Sequence, residues 1–190
     1  MRHKSVLLAT LLPVMWAYSA LGQAAVRAAS AVPAPPPATR LEAFKPAAGS
    51  VVTFGYNQLG KLGGISVDAR ELRDSKGGVV RGVVIEVTQD EYREERAFID
   101  ADELPELISG IDALLAVKTN PTRFQNFEVR YTTKGELQLT AFNSGSEIRY
   151  AVQTGRTLHA QVFVDEDTIR KLQSMFQKAQ QQLSTSPERP

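Results

Sequence analysis

The segment Phe98-Ile99-Asp100-Ala101-Asp102-Glu103-Leu104 returns 65 residues later as Phe163-Val164-Asp165-Glu166-Asp167-Thr168-Ile169. Apolar residues at helical spacing follow each copy in one register. Leu104, Leu107 and Ile111 correspond to Ile169, Leu172 and Phe176, and Ser109 corresponds to Ser174. A match at fixed period marks a duplicated structural unit, one that cannot bury its apolar face alone. Whatever the first copy folds into, the second must fold into as well.

The pattern inside each copy is four strands and a helix. In the first, Val51-Val52-Thr53-Phe54 is rich in β-formers, and Ile65-Ser66-Val67-Asp68-Ala69 alternates apolar with polar or small residues. Val79, Arg81, Val83, Ile85 and Val87 share one face of a long strand, with Val84, Glu86 and Thr88 on the other. Residues 93–100 read as a fourth strand. Ile65 and Val67 have opposite parity to Leu72, which calls for a bulge or break in the second strand. Leu104, Leu107, Ile108, Ile111, Leu114 and Leu115 then form a helical stripe. Asp100 or Asp102 is expected to cap that helix, with Glu103 and Glu106 at the positive end of its dipole.

The second copy is cleaner. Phe127, Val129 and Tyr131 alternate with polar residues, Lys134-Gly135 turns, and Leu137, Leu139 and Ala141 follow. Ile148, Tyr150 and Val152 mark a third strand, and Leu158, Ala160, Val162 and Val164 a fourth. Asp165 is placed to cap a helix whose stripe is Ile169, Leu172, Phe176 and Leu183. The 65-residue offset also matches Val83, Ile85 and Val87 with Ile148, Tyr150 and Val152, and Glu71-Leu72 with Glu136-Leu137. The expected class is α+β: a tandem ββββα repeat of two antiparallel four-stranded meanders, each followed by a helix. In such a unit one sheet face is exposed and the helix covers the other. The repeats span about 50–118 and 122–183 within a single domain, 49–183, and residues 184–190 read as a loose tail.

Residues 1–24 have the layout of a secretory signal peptide. Met1-Arg2-His3-Lys4 is basic, residues 6–21 are largely apolar, and Gly22-Gln23-Ala24 offers a small-residue cleavage site. The alternative is a retained anchor, but this run is interrupted by Pro13 and Ser19 and falls short of the roughly 20 residues a spanning helix needs. Residues 25–48 form an Ala/Pro-rich linker with too little apolar surface to fold alone. No transmembrane segment is expected after cleavage, and the expected location is secreted or periplasmic. The sequence contains no cysteine. That excludes disulfides, thiolate catalysis, cysteine metal sites and a lipid-modified cysteine.

In its order of elements, residues 50–183 resemble the tandem ββββα architecture of Whirly and PUR-repeat proteins. That resemblance implies binding of single-stranded nucleic acid. It rests on topology and carries over no functional residue. Charge argues the other way. Residues 50–117 hold 7 Lys/Arg against 13 Asp/Glu, and residues 118–190 hold 10 against 7, a net −3 over the two. A nucleic-acid binder normally carries a basic excess, because phosphate contacts supply most of its affinity.

Catalytic signals are sparse. His159 stands alone after His3 leaves with the signal, and no Gly-x-Ser-x-Gly pattern accompanies it. The clusters Asp100/Asp102/Glu103 and Asp165/Glu166/Asp167 sit at strand-to-helix junctions, where capping explains them better than metal binding does. Gly60-Lys61-Leu62-Gly63-Gly64 lacks phosphate-loop spacing. No cofactor or metal is expected.

The richest surface is the outward face of the second meander. By parity it offers Arg130, Phe142, Arg149, His159, Gln161 and Phe163 as binding candidates. Because Phe98 repeats Phe163, that face is expected to pack within the molecule or in a dimer. The expected function is a non-enzymatic binding or interaction module of the bacterial cell envelope, its partner an envelope protein or a second copy. The alternatives are a single-strand nucleic-acid binder and an envelope hydrolase.

Overall fold

The structure, a computed structural model, describes residues 36–118 and 120–184. The signal-peptide reading of 1–24, most of the linker's first half and the tail beyond Ser184 lie outside the described residues. No described helix is long and apolar enough to cross a membrane.

The elements run α1 (Arg40–Ala43), β1 (Val52–Leu62), β2 (Ile65–Asp74), β3 (Val79–Asp90), β4 (Arg93–Asp100), a 3-10 turn (Ala101–Glu103), α2 (Leu104–Leu115), β5 (Glu128–Thr132), β6 (Gln138–Ser144), β7 (Glu147–Thr154), β8 (Ala160–Val164) and α3 (Glu166–Ser184). Two antiparallel sheets result, ordered β1-β2-β3-β4 and β5-β6-β7-β8, each followed by a helix. The expected α+β arrangement is present.

The helices, however, are exchanged. α2 packs on β5, β6 and α3, while α3 packs on β1, β2 and β3. Gly110 of α2 lies so close to the Tyr131 ring of β5 that an added Cβ would strike it, and Gly60 of β1 stands in the same relation to Met175 of α3. Gln173 of α3 donates to Ile108 O (3.2 Å) and Asp112 Oδ1 (2.7 Å) of α2. The expectation that each helix covers its own sheet is therefore corrected. One apolar cluster draws on both sheets and both helices, from Ile65 and Ile85 through Leu107 to Leu139 and Leu172. Exchange is a physical answer to duplication: neither unit has a second layer of its own, so each stripe closes over the other unit's sheet.

Strand pairing refines the repeat. The four buried residues of α2 (Leu104, Leu107, Ile111, Leu114) lie 65 residues before those of α3 (Ile169, Leu172, Phe176, Ala179). Ile99 faces Val83, and its counterpart Val164 faces Tyr150, so Val83 corresponds to Tyr150 rather than to Ile148. Val67 faces Ile85 and Leu139 faces Val152, which pairs Val67 with Leu139 and displaces the Glu71-Leu72 to Glu136-Leu137 match. The period thus holds from β4 and β8 through the helices and lengthens upstream. The β3 displacement is two residues, so each side chain keeps its face.

Other local expectations change for identifiable reasons. β2 runs unbroken, with Leu72 turned to the outer face, and the irregularity falls in β1 between Gln58 and Gly60. β8 begins only at Ala160, leaving Leu158 in the preceding loop and 66% exposed. Asp165 caps α3 as expected, accepting from Thr168 N (2.8 Å) and Oγ1 (2.6 Å). Asp100 does not cap α2, because the 3-10 turn Ala101–Glu103 intervenes. Its buried carboxylate instead accepts from the backbone N–H groups of Arg40 (2.9 Å) and Leu41 (3.0 Å).

The end of the Ala/Pro-rich stretch is thereby docked. Thr39 caps α1 through Glu42 N (3.1 Å), and Leu41, 5% exposed, lies against Gly82 on the outer face of the first sheet. Val84, on the outer face by parity and opposite Phe98, is only 3% exposed. Asp100→Ala should release this segment. Two amide donors, that of Leu41 buried and that of Arg40 part-buried, would lose a charged acceptor, which disfavours the docked state. Trypsin should then cut after Arg40 much faster than in the wild type, while the rest resists. Equal cleavage rates would show that Asp100 does not hold the segment.

Candidate binding face of the second sheet

The outer face of the second sheet follows from strand alternation. β5 contributes Glu128 and Arg130, β6 Gln138, Thr140 and Phe142, β7 Arg149, Ala151 and Gln153, and β8 Gln161 and Phe163. Phe163 lies opposite Ala151, and Phe142 lies opposite both Arg149 and Glu128. The phenylalanine rings meet edge to face, with centroids 5.9 Å apart and planes at 70°. That is a favourable geometry for aromatic quadrupoles. Beneath them Thr140 and Ala151 are buried, although among the described residues no second layer covers this face. The result is a shallow depression of about 250 Å³, floored by Thr140 and Ala151 and ringed by Gln138, Gln153, Gln161 and the two phenylalanines. A wider one of about 580 Å³ adjoins it, between Phe142, Phe163, Arg149 and Asp165.

The expectation that this face is buried within the molecule is not met by the described chain. Phe163 is 72% exposed. Its repeat counterpart Phe98 is half-buried on the other sheet's outer face. Around Phe98 the N-terminal segment packs on β3 and β4 and Gly135 abuts the Phe98 backbone.

Electrostatics moderate the face. Arg130 is ion-paired with Glu128, and Arg149 with Glu147 at 3.2 Å. The Glu128 carboxylate raises the Arg130 guanidinium above its ordinary range through a direct hydrogen bond. Each cation thus sits beside its own anion. The same acid-x-Arg spacing recurs at Asp68/Arg70, Glu71/Arg73 and Glu94/Arg96, all paired. A two-residue strand period places such pairs on one face, so this neutralisation was legible in the sequence.

His159 stands apart. It lies in the loop before β8, where its Nδ1 is 2.7 Å from Gly155 O. It lines neither depression. The other five candidates, Arg130, Phe142, Arg149, Gln161 and Phe163, are brought together around the two depressions. Gln161 also donates its backbone N–H to the Gln89 side chain, 3.1 Å away. Sequence reasoning left Ala151 out, since a small residue on a polar face carries no signal until the ring above it is known. Among the described residues no group of three or more His, Asp or Glu is placed to hold a metal ion. No protein-family model, curated protein or solved structure matches this chain.

Proposed function

We propose that the protein is a non-enzymatic binding module of the bacterial cell envelope, and that it takes its ligand on the outer face of the second sheet. One observation carries the reading. Phe163 stands 72% exposed against Phe142 over a shallow hollow edged by glutamine side chains. Aromatic area combined with amide donors and acceptors suits recognition of a surface that is part apolar and part polar. The basic, apolar and small-residue order of residues 1–24 supports export of the chain.

The order of elements resembles Whirly and PUR-repeat proteins, and two phenylalanines interleaved with two arginines favour a second reading, a single-strand nucleic-acid binder. The ion pairs weigh against it, because Arg130 and Arg149 already sit beside carboxylates and phosphate neutralisation needs several converging free cations.

The test is a binding comparison on two probes. The purified chain should bind a solubilised envelope fraction, and Phe142→Ala/Phe163→Ala should weaken that binding at least about tenfold, equivalent to about 1.4 kcal/mol. A labelled single-stranded 30-mer near physiological salt should bind only weakly. Equal binding by wild type and double variant would refute the site. Sub-micromolar, strongly salt-dependent binding of the 30-mer, lost in Arg130→Ala/Phe163→Ala, would favour the second reading.

A further inference from the structure

Both sheets have two edges, and three of the four are blunted. On β4, Thr154 Oγ1 donates to Glu95 O (2.9 Å), and Gly135 abuts the Phe98 backbone so closely that no side chain would fit. β5 is five residues long and carries the Glu128/Arg130 pair. β8 is equally short, and its Gln161 N–H is taken by Gln89. Short strands, charges and capping side chains are the usual means of keeping an edge from pairing with another chain.

β1 has little of this protection. It is 11 residues long, and residues 53–58 are all exposed. Among the described residues its backbone pairs only with β2. Residues 52–58, Val-Thr-Phe-Gly-Tyr-Asn-Gln, contain no charge and no proline, and the irregularity in the strand comes only after Gln58. Phe54 (66% exposed) and Tyr56 (80% exposed) point to the same side, opposite Leu72 and Arg70 of β2. A long, uncharged, aromatic strand edge is a template for strand addition.

We propose that β1 pairs antiparallel with β1 of a second copy about a twofold axis at Gly55, joining two four-stranded sheets into one of eight strands. The sequence around Gly55 is complementary to itself. An axis there sets Phe54 of each copy opposite Tyr56 of the other, giving two aromatic cross-strand pairs on one face. No like charges meet across the seam, since the segment has none. A twofold interface uses the same patch on both copies and closes, so the exposed edge is consumed without propagating into a fibre. The inference is independent of the ligand face on the second sheet.

The experiment uses the full exported chain and light scattering coupled to size exclusion. The wild type should be a dimer at micromolar concentration. Phe54→Lys/Tyr56→Lys, which sets lysines opposite lysines at exposed positions, should be a monomer with an unchanged circular dichroism spectrum. Tyr92→Lys, at the 94% exposed turn after β3, should remain dimeric. Gly55→Cys provides a second measurement. A Cβ there meets only ordinary contacts, 3.7 Å from Glu71 O, and the chain has no other cysteine. Facing Cα atoms about 4.5–5.5 Å apart lie in the range a disulfide bridges. Mild oxidation should lock this variant as a covalent dimer. A monomeric wild type, a lysine variant that remains a dimer, or a dimer that Gly55→Cys does not lock would each overturn the proposal.

Discussion

Leu107→Ala and Leu172→Ala should each lower the folding free energy by about 2–5 kcal/mol, because each opens a cavity in a packed core. Both leucines are fully buried and occupy equivalent positions of the repeat. Helix exchange gives the result a particular form. Leu107 rides on a helix packed against the second sheet, and Leu172 on one packed against the first. Truncating either therefore weakens the unit it does not belong to in sequence. Since one cluster joins both sheets, the loss should appear as a single cooperative transition shifted to lower urea. Denaturation followed at once by tyrosine fluorescence and far-ultraviolet dichroism checks this. A change below about 0.5 kcal/mol at either site would place that leucine on the surface. Separate transitions for the two probes would mean that each repeat has its own core.

Gly135→Ala should be nearly as damaging, by roughly 2–3 kcal/mol, although it adds only a methyl group. Gly135 lies in the turn between β5 and β6, and an added Cβ would run into the backbone carbonyl of Phe98 on β4. A backbone atom within a sheet cannot rotate away as a side-chain tip can. The neighbouring contact shifts too, because Lys134 N donates to the buried Glu103 carboxylate (2.8 Å). Pushing the hairpin out would leave that carboxylate without its partner, and its Oε2 already has none. Thermal melting of the variant is the measurement. An unchanged midpoint would show that the hairpin and β4 separate freely. Gly145→Ala, in the β6–β7 turn, has open space around its Cβ but a φ of 66°, so it should cost only the strain of a left-handed residue.

Much of the candidate face is legible in the sequence. Strand parity alone places Arg130, Phe142, Arg149, Gln161 and Phe163 on one side of the second sheet. The acid-x-Arg spacing likewise foretells that the two arginines are paired. His159 was misplaced because the alternation of Leu158, Ala160 and Val162 continues past the point where β8 starts. Parity cannot distinguish a strand from an extended loop that leads into it.

The two aspartates show where local reading stops. Asp100 and Asp165 are the same position of the repeat, and from sequence Asp165 is a helix cap and either Asp100 or Asp102 is the other. Only Asp165 caps: a 3-10 turn separates Asp100 from α2, and the Asp100 carboxylate binds two amides of a segment 59–60 residues away. Phe98 is likewise half-buried where its counterpart Phe163 is exposed.

By itself the sequence determined the strands, the two helical stripes, the faces their residues take and the existence of two like units, because periods of 2 and 3.6 are set by backbone geometry within a few residues. Only the tertiary structure decided which sheet each helix covers, which outer face is filled and which strand edge is bare. Those outcomes depend on contacts between residues far apart in the chain. Both units carry the same pattern, so covering its own sheet or the other's looks identical in the sequence, and the choice is made where Gly110 meets Tyr131 and Gly60 meets Met175.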